Sequence, residues 1–443
     1  MTELIFIVLQ FFIITILFLF PITPYVNDRY LGKYNFDIYN VFCINIIINL
    51  NCYLIISIFI TEIKTLFLIN LTIASVALLI SIKKNLIILK SSNWKLLLLF
   101  FLINMAFFIS LAENPKLNWD GLKVWLPKAS TYYQGLGFTD VGTHAYPHLG
   151  GFLWGYFWKN SLIDKEYIGR FFYIFFYVIS IFSLISFFKG NKKISLPIII
   201  GFLIFILSLT YDSFLFGGYQ DVLLFSILLI ISKFLYLIIF ERQKDFYVYS
   251  VYFLGSFICL WIKQEGIIYF SILTLTLIIF ENDYKKKIFF TLFSLILISI
   301  YFLLKNYLIG AIQFDQEINL EKIKLLDLIL FKNVLFAFLT NFLVAIIKYP
   351  IWLLIILFFL ISIFSKKKNL NIRYIYLFFI LNLLFIVCII FYSCLNLGFD
   401  NCSLIMRVSM DRIMYQSSGF YLIWIIYIFN DLNFFSRNRF HLF

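Results

Sequence analysis

A handful of ionisable residues interrupt an otherwise apolar chain, and their types suit chemistry on a charged substrate. Asp120 follows Asn118 and Trp119 in ENPKLNWDGLKVWLPKASTYYQG, and Asp221 follows two glycines and Tyr219 in FGGYQDVLLF. Each carboxylate either caps a helix N-terminus or works as a base or orienting group. An ionisable residue at the hydrocarbon boundary is costly, which makes it a functional candidate. Lys263 and Glu265 break two apolar runs in WIKQEGIIY, either as an ion-paired turn or as charges aimed into a shared cavity. Arg407, Asp411 and Arg412 cluster in MRVSMDRIMYQSSG, where Arg412, Tyr415 and Gln416 share one helical face. An arginine there either snorkels or holds a phosphate through its planar donors. His144 and His148 flank Tyr146-Pro147. A helix would bring both imidazoles to one metal, but Pro147 opposes a helix at that point, so no metal site is expected.

These residues need a scaffold, and the composition says which kind. The 443 residues are 63% hydrophobic and only 13% charged, with a mean hydropathy of +0.96. Soluble domains carry roughly twice that share of charge. Apolar runs of about 18 residues or more recur along the chain, each long enough to cross a bilayer as a helix. A β-barrel would instead alternate in segments of about 10 residues. The fold class is therefore all-α, a polytopic transmembrane bundle. The net charge of +13 sits mostly in short Lys/Arg tufts between apolar runs. That pattern marks topology by the positive-inside rule and gives no reason to expect nucleic acid. Cys43, Cys52, Cys259 and Cys388 lie in apolar runs and act as small hydrophobes. Cys394 and Cys402 share a late polar stretch, where an oxidising compartment would permit a disulfide. The first apolar run has no basic flank or small-residue cleavage site and is expected to be retained as a helix.

With every tuft placed in the cytoplasm, thirteen spans fit between them: 4–22, 38–60, 65–82, 96–112, 167–188, 195–211, 221–240, 246–262, 265–281, 288–304, 346–364, 374–393 and 412–430. The N-terminus is then outside and the C-terminus cytoplasmic. Two further apolar stretches, 149–159 and 331–345, are expected to lie outside, at the interface or re-entrant. The outer loops become 113–166, 212–220, the break at 263–264, 305–345 and 394–411, and they carry nearly all the unusual polar residues. In the first of them, Leu122, Trp125, Leu126, Ala129, Tyr132 and Tyr133 repeat with helical spacing. They predict a helix along the membrane surface with a kink or late start at Pro127.

The set, taken together, resembles the polyprenyl-phosphate-sugar-dependent membrane glycosyltransferases of the GT-C class. NWDGLKVWLPKASTYYQG is similar to their catalytic outer-loop segment, AYPHLGGFLW to a Tyr-Pro segment before the next helix, and GGYQDVLLF to a Gly-Tyr-x-Asp helix start. WIKQEGIIY resembles their Lys-x-Glu-Gly element and SMDRIMYQ a late Asp-Arg element, all in the family's order over about residues 96–425. The resemblance implies one integral membrane domain, with N-terminal spans over 1–95 and a catalytic helical core over 96–430. It implies an inverting transfer of sugar from a polyprenyl-phosphate donor to a hydroxyl of a glycan, lipid or protein at the periplasmic face of a bacterial inner membrane. Asp120 would be the general base, and Arg412 and Lys263 would hold the donor phosphate. Asp221, Glu265, Trp119, Lys123, Lys128, Tyr133, Tyr146, Tyr219, Tyr415 and Gln416 would bind substrate. No cofactor is implied, and the lack of an Asp-x-Asp pair at Asp120 leaves a divalent cation unsupported.

Two other activities use the same surface. A lipid-linked oligosaccharide polymerase or ligase would be expected to carry an Arg-rich late outer loop, whereas 305–345 offers only Lys305, Lys322, Lys324 and Lys332. A transporter or flippase of lipid-linked glycans would tend to show internal repeats and charges at mid-membrane. The chain shows no repeat, and most of its exceptional charges fall on one face.

Overall fold

The computed structural model describes residues 2–19, 37–59, 62–83, 94–137, 147–186, 196–208, 215–243, 245–309, 328–348, 350–364, 373–397 and 399–431. Every regular element among them is helical. In chain order the helices are α1 (Thr2–Leu19), α2 (Ile38–Phe59), α3 (Ile63–Lys83), α4 (Trp94–Glu113), α5 (Leu126–Tyr133), α6 (Leu149–Lys159), α7 (Phe171–Phe182) and α8 (Leu196–Ser208). They continue as α9 (Asp221–Ile239), α10 (Phe246–Ile262), α11 (Gly266–Phe280), α12 (Tyr284–Ile309), α13 (Leu328–Lys348), α14 (Pro350–Phe364), α15 (Arg373–Leu397) and α16 (Phe399–Asp431). Seven helices are long and apolar enough to cross a membrane, and an eighth span results if α13 and α14, which meet at 101°, count as one. Each stretch the sequence marks as a span contains helix among the described residues, but α1, α8, α10 and α11 are shorter apolar helices and 346–364 is divided between α13 and α14, so thirteen full spans are not shown.

Burial explains the layout. All of α9 is buried, and it packs on α7, α10 and α16. A helix apolar on every side can only be a core helix or a lipid-exposed one, and here it is the core. By contrast, α3 exposes Leu68, Ile69, Ile73, Val76 and Leu79, and α12 exposes Phe289, Leu292, Leu295, Ile296 and Leu303. A soluble monomer does not present such faces to water. The chain is an integral membrane protein, and lipid covers them. Between helices the packing is close where glycine allows it: a Cβ on Gly419 of α16 would stand 2.3 Å from the Phe225 carbonyl of α9. Small residues at such crossings are what bring helices together when lipid competes equally for apolar side chains. Within α9, Lys233 is satisfied by the Asn40 side chain, by the Ser186 hydroxyl at 2.6 Å and by the Ser183 carbonyl at 3.0 Å. It pins α9 to α2 and to the end of the α7 segment.

Two stretches differ from the sequence expectation. The stretch 394–411 is not a loop, because α15 runs to Leu397 and α16 begins at Phe399, well before 412. No Pro or Gly stands between Phe399 and Ser418 to stop the helix, so polar side chains alone do not end it. Residues 149–159, expected outside, at the interface or re-entrant, form α6, which is buried from Leu149 to Phe157 among the other helices. In the first outer segment a single π turn, Gly121–Trp125, precedes α5. The wider turn shifts the phase of the helix. Leu122 is exposed and Val124 is buried, against the spacing read from sequence, whereas Trp125, Ala129 and Tyr132 are buried as that spacing expects.

Candidate functional site

Asp120, Asp221, Lys263, Glu265, Arg412 and Gln416 come from separate parts of the chain and meet at one place. The local backbone explains how. α10 ends at Ile262, Lys263 is extended, and α11 restarts at Gly266. A Cβ on Gly266 would lie 1.7 Å from the Cys259 carbonyl, so this turn closes only around glycine. The turn directs Lys263 inward, where its ammonium lies 2.8 Å from Asp221 Oδ1 and 3.2 Å from Glu265 Oε1. Asp221 is the first residue of α9, and Gln220 is the capping residue. The Asp221 side chain does not cap the helix. Its Oδ1 also accepts a hydrogen bond from Gln416 Nε2 at 2.5 Å, and its Oδ2 lies 3.5 Å from Arg412 Nη2.

Asp120 arrives from the opposite side. Asn118 donates its backbone N–H to the Gly217 carbonyl at 3.1 Å, and Gly121 packs so closely that a Cβ would stand 2.2 Å from that same oxygen. The NWDG segment is thus seated on the GGYQD turn, where Gly218 has a positive φ of 79° that favours glycine. Asp120 precedes the π turn but makes no side-chain cap. Its Oδ2 lies 2.6 Å from Arg412 Nη2. The Arg412 guanidinium sits 4.9 Å over the Tyr219 ring. Burial and the neighbouring Asp120 carboxylate raise the Tyr219 phenol above its ordinary range, so it stays neutral.

The cluster is graded in depth. Asp221 and Lys263 are 0% and 1% exposed, whereas Asp120 and Arg412 are 14% and 15% exposed. The Asp120–Arg412 pair is therefore the open end of the network, and Lys263, Asp221 and Gln416 are its buried support.

The other sequence candidates lie around or away from it. Tyr415 faces α9 as Arg412 and Gln416 do, but its ring stacks on Phe225 at 5.1 Å and is buried. Trp119 is 69% exposed, and Lys123 is exposed on the same segment. Tyr133, at the far end of α5, stacks on Trp158 at 4.2 Å and donates its hydroxyl to Asp164 at 2.8 Å. Lys128 is buried on the inner face of α5, with its ammonium 5.5 Å from the Trp125 ring centre. His148 is buried, with Nε2 3.0 Å from the Ser57 hydroxyl. His144, Tyr146 and the side chains of Arg407, Cys394 and Cys402 lie outside the described residues. Among the described residues no group of three potential ligands could hold a metal ion.

Arg170 is the positioning residue that the sequence reading passed over. Fully buried, it donates from Nη2 to the Pro115 carbonyl at 2.9 Å and from Nη1 to the carbonyls of Lys116, at 3.2 Å, and Phe216. Its Nε lies 3.0 Å from Glu166. One guanidinium thus ties the strand of chain leading to Asp120 to the turn leading to Asp221. An arginine inside the apolar run 167–188 was the available signal.

The fold and site define a polytopic helical membrane protein with an acid–arginine pair at the open end of a buried charge network. Comparison with known protein families, with curated proteins and with solved structures found no match.

Proposed function

We propose that the chain is a membrane glycosyltransferase of the GT-C type, moving a sugar from a polyprenyl-phosphate donor to an acceptor hydroxyl with inversion. In this reading the thirteen stretches all cross the membrane, the N-terminus is outside, and the Asp120 cluster faces the periplasm of a bacterial inner membrane. The observation that carries it is the Asp120–Arg412 pair at 2.6 Å, partly open and backed by Asp221, Lys263, Glu265 and Gln416. Four of the five motif segments on which the resemblance rests contribute to this cluster or to the turns beneath it; AYPHLGGFLW does not.

The chemistry follows from the charges. At rest the guanidinium neutralises Asp120. A donor phosphate arriving at Arg412 replaces the carboxylate as its counterion and frees Asp120 to accept the proton of the acceptor hydroxyl. The acceptor oxygen then bonds to the anomeric carbon from the face opposite the phosphate. The bond to the phosphate oxygen breaks, and the leaving phosphate keeps the electron pair beside Arg412. A positioned base contributes about 10²–10⁴-fold to such a step, and preorganised positive charge stabilises the negative charge developing on the leaving group. Lys263 is committed to Asp221 and Glu265, so its part is to hold Asp221 and, through it, Arg412. Transfer of radiolabelled sugar from synthetic polyprenyl-phosphate donors, wild type beside Asp120→Asn, tests the reading.

A further inference from the structure

A second pair of cations, Lys128 of α5 and Lys305 of α12, takes no part in the ion pairs of Asp120, Asp221, Lys263 and Arg412 described above. Lys305 ends the apolar part of α12 and is only 7% exposed. Among the described residues its one partner is the Tyr301 ring, 5.7 Å from the ammonium, and no hydrogen bond or ion pair reaches the amine. The surrounding side chains form a continuous aromatic wall. Tyr301 meets Trp261 edge-on at 4.9 Å, and Trp261 meets His148 at 5.3 Å. Beside His148, the Pro147 carbonyl accepts a hydrogen bond from Lys128 Nζ at 3.4 Å, and Lys128 lies against Trp125. These contacts connect two lysines on different helices, both nearly buried, and the charge of Lys305 acts on Lys128.

Burying like charges together is unfavourable for both. Burial and the charge of Lys305 lower the Lys128 amine to about 7, and burial and Lys128 push His148 well below its ordinary range. The surroundings of Lys128 are electropositive, with the neutral His148 imidazole among them. An ammonium is a compact point charge with three rotatable donors, which suits an oxyanion approaching from several directions.

We infer that Lys128 and Lys305 form an oxyanion subsite for a phosphate group, bordered by Trp125, Trp261 and Tyr301. The phosphate belongs either to a soluble ion or ester or to the headgroup of a membrane amphiphile. A dianion there offsets both ammonium charges, and the aromatic wall accommodates the apolar part of an amphiphile. The subsite does not rest on the glycosyltransferase reading, because its occupancy is measured with no sugar present.

The test is calorimetric titration of the purified full chain in neutral detergent, with inorganic phosphate in one arm and dodecyl phosphate in the other. Wild type is compared with Lys305→Gln and Lys305→Arg. The expected result is binding in at least one arm that weakens by about tenfold or more in Lys305→Gln, the loss of one charge-assisted contact, and is retained in Lys305→Arg. Binding of inorganic phosphate supports the subsite with a soluble source, and binding of dodecyl phosphate alone supports it with a membrane source. Retention in the arginine variant shows that loss in the glutamine variant is not misfolding. The inference is overturned if neither probe binds wild type, or if Lys305→Gln binds as tightly as wild type.

Discussion

Replacing Arg170 with methionine should separate the two segments that carry Asp120 and Asp221. The guanidinium is fully buried and serves three backbone carbonyls, of Pro115, Lys116 and Phe216, besides the Glu166 carboxylate. Methionine matches much of the volume but none of the donors. Hydrogen bonds to a charged group are worth about 1.5–3 kcal/mol each, and removing one partner of a buried ion pair costs about 3–5 kcal/mol. These contributions overlap, so the expected loss is about 4 kcal/mol rather than their sum. Glu166→Gln removes less, because Glu166 is 22% exposed and the guanidinium keeps its three carbonyls. About 1 kcal/mol is expected there, near the value for a partly exposed pair. Unfolding by sodium dodecyl sulfate in mixed micelles, followed by helical circular dichroism, gives both values. If Arg170→Met is no more destabilised than Glu166→Gln, the carbonyl contacts contribute nothing and the guanidinium does not hold the two segments together.

Three further outcomes follow from the same packing. Lys263→Met leaves the Asp221 carboxylate buried without its closest cation and should cost about 3–5 kcal/mol, whereas Asp221→Asn combined with it should recover part of that loss in the same unfolding assay. Gly121→Ala drives a methyl group against the Gly217 carbonyl and should cost about 1–3 kcal/mol, while Gly201→Ala, with open space around it in a helix, should stabilise by roughly 0.5–1 kcal/mol. The Lys128 amine, lowered to about 7 and faced by Lys305 and His148, binds its proton more weakly in the folded chain than in the unfolded one. Between pH 7 and the ordinary lysine range the unfolded chain therefore holds more protons, so stability gained through this group rises with pH and is level below 7. Unfolding midpoints measured from pH 7 to 9.5 should show that rise in wild type and a smaller one in Lys128→Met.

Much of this architecture was legible because lipid imposes a simple rule on sequence. A backbone crossing hydrocarbon must satisfy itself, so long apolar runs become helices wherever they occur. Charged residues are then few enough to single out. Asp120, Asp221, Lys263, Glu265, Arg412 and Gln416 were all identifiable, and they converge. Side-chain direction was harder to read. The π turn at Gly121–Trp125 rotates the start of the surface helix, which exposes Leu122 and buries Val124. Lys128 joins the buried face by its spacing from Trp125 and Tyr132, although its charge argued for the outside. Arg170 was hidden because a single arginine in an apolar run reads equally well as a snorkelling side chain. Only tertiary structure brings the carbonyls of Pro115 and Phe216 to it. The start of α16 at Phe399 was missed because polar composition was read as loop, while nothing in that stretch breaks a helix.

The central claim is that Asp120 acts as a base beside a phosphate-holding Arg412. The most direct measurement is sugar transfer from a radiolabelled polyprenyl-phosphate donor to a mixed pool of membrane glycolipids by the purified protein, wild type against Asp120→Asn. The asparagine keeps the size and polarity of the side chain but cannot take the proton. The account predicts turnover by wild type that falls by about 10²-fold or more in the variant, with the purified variant eluting as the same species. Full turnover by correctly folded Asp120→Asn would contradict it.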